Sequence, residues 1–338
     1  MKAIKVSVPH DVKWVDVETP QVRSDTDVRI KVKAGGVCGS DIHVAHGTNI
    51  FATYPRIVGH EIAGEVESAG PGVAGLKIGD KVVLEPFKCC GACYACTHSR
   101  PNVCQHLQVF GVHIDGGFAE YLVADERNFH KVPDSLTFEQ ATLVEPYTIG
   151  TQSVWHANVQ SGDMALIHGA GPIGLIIADI CSSLGATVII SEINEYRLKN
   201  AKRFGAHHLI NPMNQDARRV LAEITGNMGP NVIFESTGVQ ALISESVEIA
   251  SVAGRIVPLA FNNTPVPINF AQINKKELRI SGTRHQTYKF KPVIEKFCEN
   301  LGRINALVTG VYPASEFMQA FDDFSDKNSN NIKVVLTF

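Results

Sequence analysis

The chain has no excess of basic residues: 31 Lys and Arg stand against 34 Asp and Glu, a formal net charge of −3 at pH 7. That removes the electrostatic argument for nucleic acid or an anionic membrane surface as a partner. Uninterrupted apolar runs of membrane-spanning length are missing too, and even Ile173–Cys181 is broken by Asp179. Met1–His10 holds nothing like the apolar region of a secretory signal, so a cytoplasmic location is expected. There is no internal repeat and no low-complexity tract. What remains is a chain of 338 residues, 44% hydrophobic and 19% charged, which is enough for two globular domains.

Its eight cysteines are unevenly spread, with five of them between Cys89 and Cys104. In a cytosolic chain of this length, crowding of that kind points to metal binding rather than a disulfide framework. Cys90-x2-Cys93-x2-Cys96-x7-Cys104 offers four thiolates on one loop, the donor set of a closed structural zinc. An iron–sulfur cluster competes, but the last spacing is longer than in the common ferredoxin run. Cys181 and Cys298 fall in helical segments and are expected as small core residues.

Along the chain the hydrophobic period changes once. Val28–Lys33 alternates apolar and charged residues, Ile62–Ala69 alternates again, and Lys81–Leu84 is a short apolar run, with Gly-rich turns between them. Gly35-Gly36 is expected to end the first of these strands. Short strands of this kind predict a small β-barrel-like domain. From about residue 163, apolar strands alternate with helical stretches: Ala165–His168, Thr187–Ser191, His208–Ile210, Val232–Glu235, Arg255–Leu259 and Leu278–Gly282. That alternation predicts an α/β, doubly wound parallel sheet of the Rossmann type.

Gly169, Gly171 and Gly174 form Gly-x-Gly-x-x-Gly between an apolar strand and an apolar helix that begins at Pro172-Ile173. The glycines allow the tight turn, the approach of a diphosphate to the backbone, and close helix–strand packing. The helix N-terminus presents free N–H groups to the phosphates. Glu192 follows 18 residues later, placed to bond the ribose hydroxyls of NAD and to repel the 2′-phosphate of NADP. Arg197 is a candidate for stacking on adenine or pairing with a phosphate. NAD is therefore expected over NADP.

Cys38-Gly39-Ser40-Asp41-Ile42-His43 and Gly59-His60-Glu61 place a thiol, imidazoles and carboxylates, the donors of a borderline-soft metal, within 24 residues. With the four-cysteine loop and the glycine turn they stand in an order that resembles the zinc-dependent medium-chain dehydrogenase/reductase family, along essentially the whole chain. Leu143-Val144-Glu145-Pro146 resembles the branch of sorbitol dehydrogenase and related sugar-alcohol and sugar-acid dehydrogenases. Classical alcohol dehydrogenases have a cysteine ligand where this chain has Glu145.

The resemblance implies a GroES-like zinc-binding catalytic domain of residues 1–150 with 286–338, and a Rossmann NAD-binding domain of residues 151–285, with the active site in the cleft between them. It implies two Zn2+ per chain, one structural and one catalytic. Cys38 and His60 hold the catalytic ion, and either Glu61 or Glu145 completes its ligand set. Ser40 and His43 match the family's proton relay, and Arg284 a residue that supports the site or substrate. The implied reaction is reversible, NAD-dependent oxidation of a secondary hydroxyl in a polyol, sugar alcohol or aldonate. The alternatives are a simple secondary alcohol, an amino alcohol such as threonine, a phosphorylated polyol, or a non-catalytic NAD-binding protein. A homo-oligomer, dimer or tetramer, is expected from the resemblance.

Overall fold

A computed structural model describes residues 1–261, 263–326 and 329–338. The chain divides into two compact units, Met1–Glu145 with Thr287–Phe338, and Pro146–Gln286. None of the described helices is long and apolar enough to cross a membrane.

The first unit is the GroES-like β domain. β1 (Lys2–Val8) pairs with β2 (Asp11–Asp16) and β4 (Arg56–Ile57) in a small antiparallel sheet. The main sheet contains β3 (Asp27–Gly36), β5 (Glu61–Ala69), β6 (Lys81–Leu84), β9 (Tyr121–Asp125), β10 (Phe129–Lys131), β17 (Val308–Pro313) and β18 (Lys333–Thr337). A short pair, β7 (Phe87–Lys88) with β8 (Gln108–Val109), flanks the cysteine loop. The alternation read from β3 holds: Val28, Ile30 and Val32 are buried. They pack with Ile4, Ile62, Val66, Phe118 and Leu336 into one core. Burying each such side chain contributes about 1.5–3 kcal/mol.

β3 ends at Gly35-Gly36, as expected. Both residues still pair with β5 on one side and β18 on the other. Glycine serves here for space rather than for turn geometry. A Cβ on Gly36 would stand 2.2 Å from Glu61 Oε2 and 3.1 Å from Lys333 Cε. The glycine lets two charged side chains cross the strand end.

The second unit is a six-stranded parallel sheet, in the order β13 (Ala206–Ile210), β12 (Thr187–Ser191), β11 (Met164–His168), β14 (Val232–Glu235), β15 (Arg255–Pro258), β16 (Arg279–Ile280). The order reverses between β11 and β14, so the carboxyl ends of these two strands flank the topological switch point, where doubly wound folds bind their ligands. β11 and β14 are almost wholly buried, as parallel strands covered on both faces must be. Leu166, Ile189, Ile233, Val247 and Ile256 form the core of this unit.

The predicted helix Phe138–Ile149 is two helices, Phe138–Ala141 and Val144–Ala157. Thr137 caps the first with its side chain, and Glu145 sits in the first turn of the second. Cys298 corrects an expectation. It is exposed rather than a core residue, because it falls where the amphipathic helix Phe290–Phe297 ends. Cys181 is fully buried, as expected.

Candidate active site

Sheet register assembles the candidate catalytic centre. Gly36 pairs with Glu61 on β5 and with Val335 on β18, so the end of β3, the start of β5 and the start of β18 meet at one edge. Cys38 follows β3 by two residues, His60 immediately precedes β5, Glu61 opens it, and Lys333 opens β18. Cys38, His60 and Glu61 each place a donor atom within 4.8 Å of the others. Zinc bonds of about 2.0–2.3 Å set tetrahedral donors roughly 3.3–3.8 Å apart, so the trio can close on one ion with small side-chain adjustment.

Asp41 orients this trio. It is the third residue of the helix Gly39–Ala45, and its Oδ2 accepts the Cys38 N–H at 2.9 Å, the acid half of a capping box. Its Oδ1 accepts the Gly59 N–H at 3.1 Å and faces His60 Nδ1 at 3.3 Å. That carboxylate acts on the Nδ1 side of the ring through its charge and leaves Nε2 to bind a metal. Ser40 Oγ lies 3.4 Å from that Nε2.

The surroundings are strongly charged and dry. Glu61 and Lys333 form an ion pair with each side chain only 2% exposed, and Lys333 Nζ donates to the Val37 carbonyl at 2.8 Å. Burial disfavours protonated His60, but Asp41 and Cys38 outweigh it and hold its pKa well above the ordinary value. Burial raises Glu61, while Lys333 and His60 pull it back. Burial also raises Glu145 to about 7, against His60 and with Glu61. Lys333 is raised, the Glu61 charge overcoming its burial. A divalent ion at the trio favours the ionised form of every carboxylate here.

His43 lies one turn beyond Ser40 on the same helix. It is exposed, and its Nδ1 is 2.7 Å from Thr48 Oγ1. Phe110 and Phe118 belong to the core, and Phe51 packs at its edge beside His113.

The four-cysteine loop fits a tetrahedral ion closely. Sγ separations are 3.6 Å for Cys93–Cys96, 3.8 Å for Cys93–Cys104 and 3.5 Å for Cys90–Cys104. Zn–S bonds of about 2.3 Å imply tetrahedral edges of about 3.8 Å. All four thiols belong to one group of potential ligands, and Cys89 stands outside it, exposed.

In the second unit the glycine turn is built as the motif requires. Gly169 has φ +97°, and a Cβ on Gly174 would sit 2.1 Å from the Gly169 carbonyl oxygen. A Cβ on Gly171 would meet nothing within 4 Å, which is the open space a diphosphate needs. Pro172 is the first residue of the helix Pro172–Ser183, where its fixed φ fits, and Ile173 follows in that turn. Glu192 Oε2 accepts the Ala170 N–H at 2.7 Å and Oε1 the Asn194 N–H at 2.9 Å, so its carboxylate is fixed beside the turn. The Arg197 N–H is capped by Asn194 Oδ1 at 3.0 Å, and the Arg284 guanidinium lies 5.9 Å from the Phe261 ring centroid.

Sequence reasoning missed Asp41, Thr48 and Lys333. Asp41 stood inside the motif, three residues after Cys38, and its capping spacing was the available signal. Lys333 had none, being one charge at the start of an apolar strand, 296 residues from Val37.

Residues 24–134 match the alcohol dehydrogenase GroES-like domain and residues 172–299 the zinc-binding dehydrogenase domain. An uncharacterised zinc-type alcohol dehydrogenase-like protein of Haemophilus influenzae is 37% identical over 100% of this chain and 99% of its own length. The 2-dehydro-3-deoxy-L-galactonate 5-dehydrogenase of Pseudoalteromonas atlantica is 33% identical over 92% of this chain and 91% of its own. The crystal structure of an Escherichia coli alcohol dehydrogenase (rspB) complexed with NADH is 34% identical, with a TM-score of 0.94, covering 100% of this chain and 99% of that one. The chain belongs to the zinc-dependent medium-chain dehydrogenase/reductase family, in its sorbitol dehydrogenase-like branch, and is an oxidoreductase acting on CH–OH groups.

Proposed function

We propose that the protein reversibly oxidises a secondary hydroxyl of a polyol, sugar alcohol or aldonate to the ketone, with NAD as hydride acceptor. The observation that carries this reading is the donor set: one thiol, one imidazole and the carboxylate of Glu61, with Glu145 interacting electrostatically with His60 and Glu61. A carboxylate-rich site is harder and more polar than one with two thiolates, which suits a substrate bearing several hydroxyls. The relative named for a galactonate derivative points to the same substrate class. NAD rather than NADP is supported by Glu192, whose fixed negative charge opposes a 2′-phosphate.

Cys38, His60 and Glu61 would hold one zinc, and Cys90, Cys93, Cys96 and Cys104 a second. When bound at the first trio, zinc supplies a Lewis acid that polarises the substrate hydroxyl. Asp41 keeps His60 in the orientation that presents Nε2. Glu145 accepts a hydrogen bond from a substrate hydroxyl or from water. Ser40 Oγ would accept the substrate's hydroxyl proton as it releases its own toward His43, whose exposed imidazole, hydrogen-bonded to Thr48, would hand a proton to solvent. NAD, when bound, would supply the hydride acceptor for the carbinol carbon; the glycine turn would hold its diphosphate and Glu192 its adenosine ribose.

Steady-state NADH or NADPH formation tests this across polyols, aldonates, phosphorylated polyols, threonine and short alcohols. The highest kcat/KM is expected for an unphosphorylated polyol or aldonate with NAD. A clear preference for short unsubstituted alcohols would defeat the substrate assignment.

A further inference from the structure

Glu235 is a wholly buried carboxylate to which the proposed mechanism gives no role. It ends β14 and pairs in register with His168, the last residue of β11, so the two face each other across the switch point. Its Oε1 accepts the Thr237 N–H at 2.7 Å, the Thr237 hydroxyl, and the Gly238 N–H at 3.1 Å. One carboxylate oxygen therefore fastens the turn that follows its own strand. Ser236 fastens the same turn to β11, its N–H and Oγ both donating to the His168 carbonyl at 3.1 and 2.7 Å.

That turn lies against the glycine loop. A Cβ on Gly169 would stand 2.9 Å from Thr237 Cγ2 and 3.0 Å from Ser236 Oγ, and a Cβ on Gly174 would stand 3.1 Å from Ser236 Oγ. Glu192 flanks the loop from the β12 side, while Ser236–Gly238 flanks it from the β14 side. A dinucleotide crosses the switch point from one half of the sheet to the other, whereas a mononucleotide occupies one half.

The geometry points to Glu235 as a positioning residue for the dinucleotide: by holding the Ser236–Gly238 turn it forms the wall that receives the half beyond the diphosphate. This rests on the dinucleotide reading of Gly169–Gly174. Glu235→Met keeps the length and removes the acceptors. Glu235→Gln keeps an oxygen where Oε1 makes its three contacts.

The test uses the zinc-loaded full chain, with NADH binding followed by fluorescence titration and AMP binding by calorimetry. Glu235→Met is expected to weaken NADH by about tenfold, because the turn loses the three hydrogen bonds that Oε1 accepts from Thr237 and Gly238. AMP should stay within about twofold, because Glu192 and β12 are untouched, and Glu235→Gln should keep NADH within about threefold of wild type. In turnover, KM for NAD rises and kcat at saturation holds. NADH affinity unchanged in Glu235→Met overturns the inference, and so does AMP weakening in step with NADH. If Glu235→Met does not fold, Thr237→Val, which removes the hydroxyl that donates to Glu235 and accepts the Val239 N–H, decides: roughly threefold weaker NADH supports the inference and no change overturns it. A wild-type chain that fails to bind NADH refutes the dinucleotide reading itself, a different result from an indifferent variant.

Discussion

Replacing Lys333 by Met should expose how the candidate centre is balanced. The substitution keeps most of the side-chain volume, removes the cation beside Glu61, and leaves the Val37 carbonyl without its donor. Both partners are 2% exposed, so water does not compensate. Removing one member of a buried ion pair costs about 3–5 kcal/mol. For a unit of about 200 residues, each kcal/mol lowers the melting midpoint by roughly 2–4 °C, so the metal-free variant should melt roughly 6–20 °C lower. Zinc should reduce that gap, because a divalent ion replaces the missing charge opposite Glu61. Glu61→Gln added to Lys333→Met should restore part of the loss, with a coupling of about 1–3 kcal/mol. The assay is a melting series of the two single variants and the double, with and without zinc, at one scan rate. Strict additivity, or a Lys333→Met chain as stable as wild type without metal, would mean that Glu61 and Lys333 do not balance each other.

His168 is buried with no hydrogen bond to either ring nitrogen, and burial pushes its pKa down to about 4. Unfolding returns it to about 6.5, so the unfolded chain binds more protons between these values, and stability falls as pH drops from about 6.5 toward 4, by up to roughly 3 kcal/mol. Denaturation midpoints at pH 7 and 4.5 should therefore diverge less in His168→Leu than in wild type. Asp41→Ala frees the imidazole that Asp41 orients and should weaken zinc binding at Cys38–His60–Glu61 by about 10–100-fold in chelator competition. Cys104→Ser should lower zinc content by one ion per chain and make the 89–104 loop sensitive to protease, with NADH affinity retained.

The strands and the glycine turn were readable where local pattern sets the structure. Val28–Lys33 shows its buried face by alternation, and the glycine turn declares itself by lying between an apolar strand and an apolar helix. The unread part depends on contacts between distant segments. Gly35-Gly36 reads as a strand end and is one, but that Gly36 also makes room for Glu61 and Lys333 is set by segments far along the chain. Lys333 gains its role only when β18 pairs with β3. Between Glu61 and Glu145 the sequence offers no preference. The fold places Glu61 with Cys38 and His60, and Glu145 acts on that trio through its charge. Cys298 was misplaced because a helical period alone does not say where the helix stops.

The central claim is that Cys38, His60 and Glu61 form the reaction centre. The most direct test is NADH formation by Cys38→Ser on the best substrate, with NADH affinity and the content of the four-cysteine site measured on the same sample. Turnover should fall on the order of a thousandfold, the loss expected when about 4 kcal/mol of Lewis-acid stabilisation disappears, with NADH binding unchanged. Turnover within tenfold of wild type would contradict the claim.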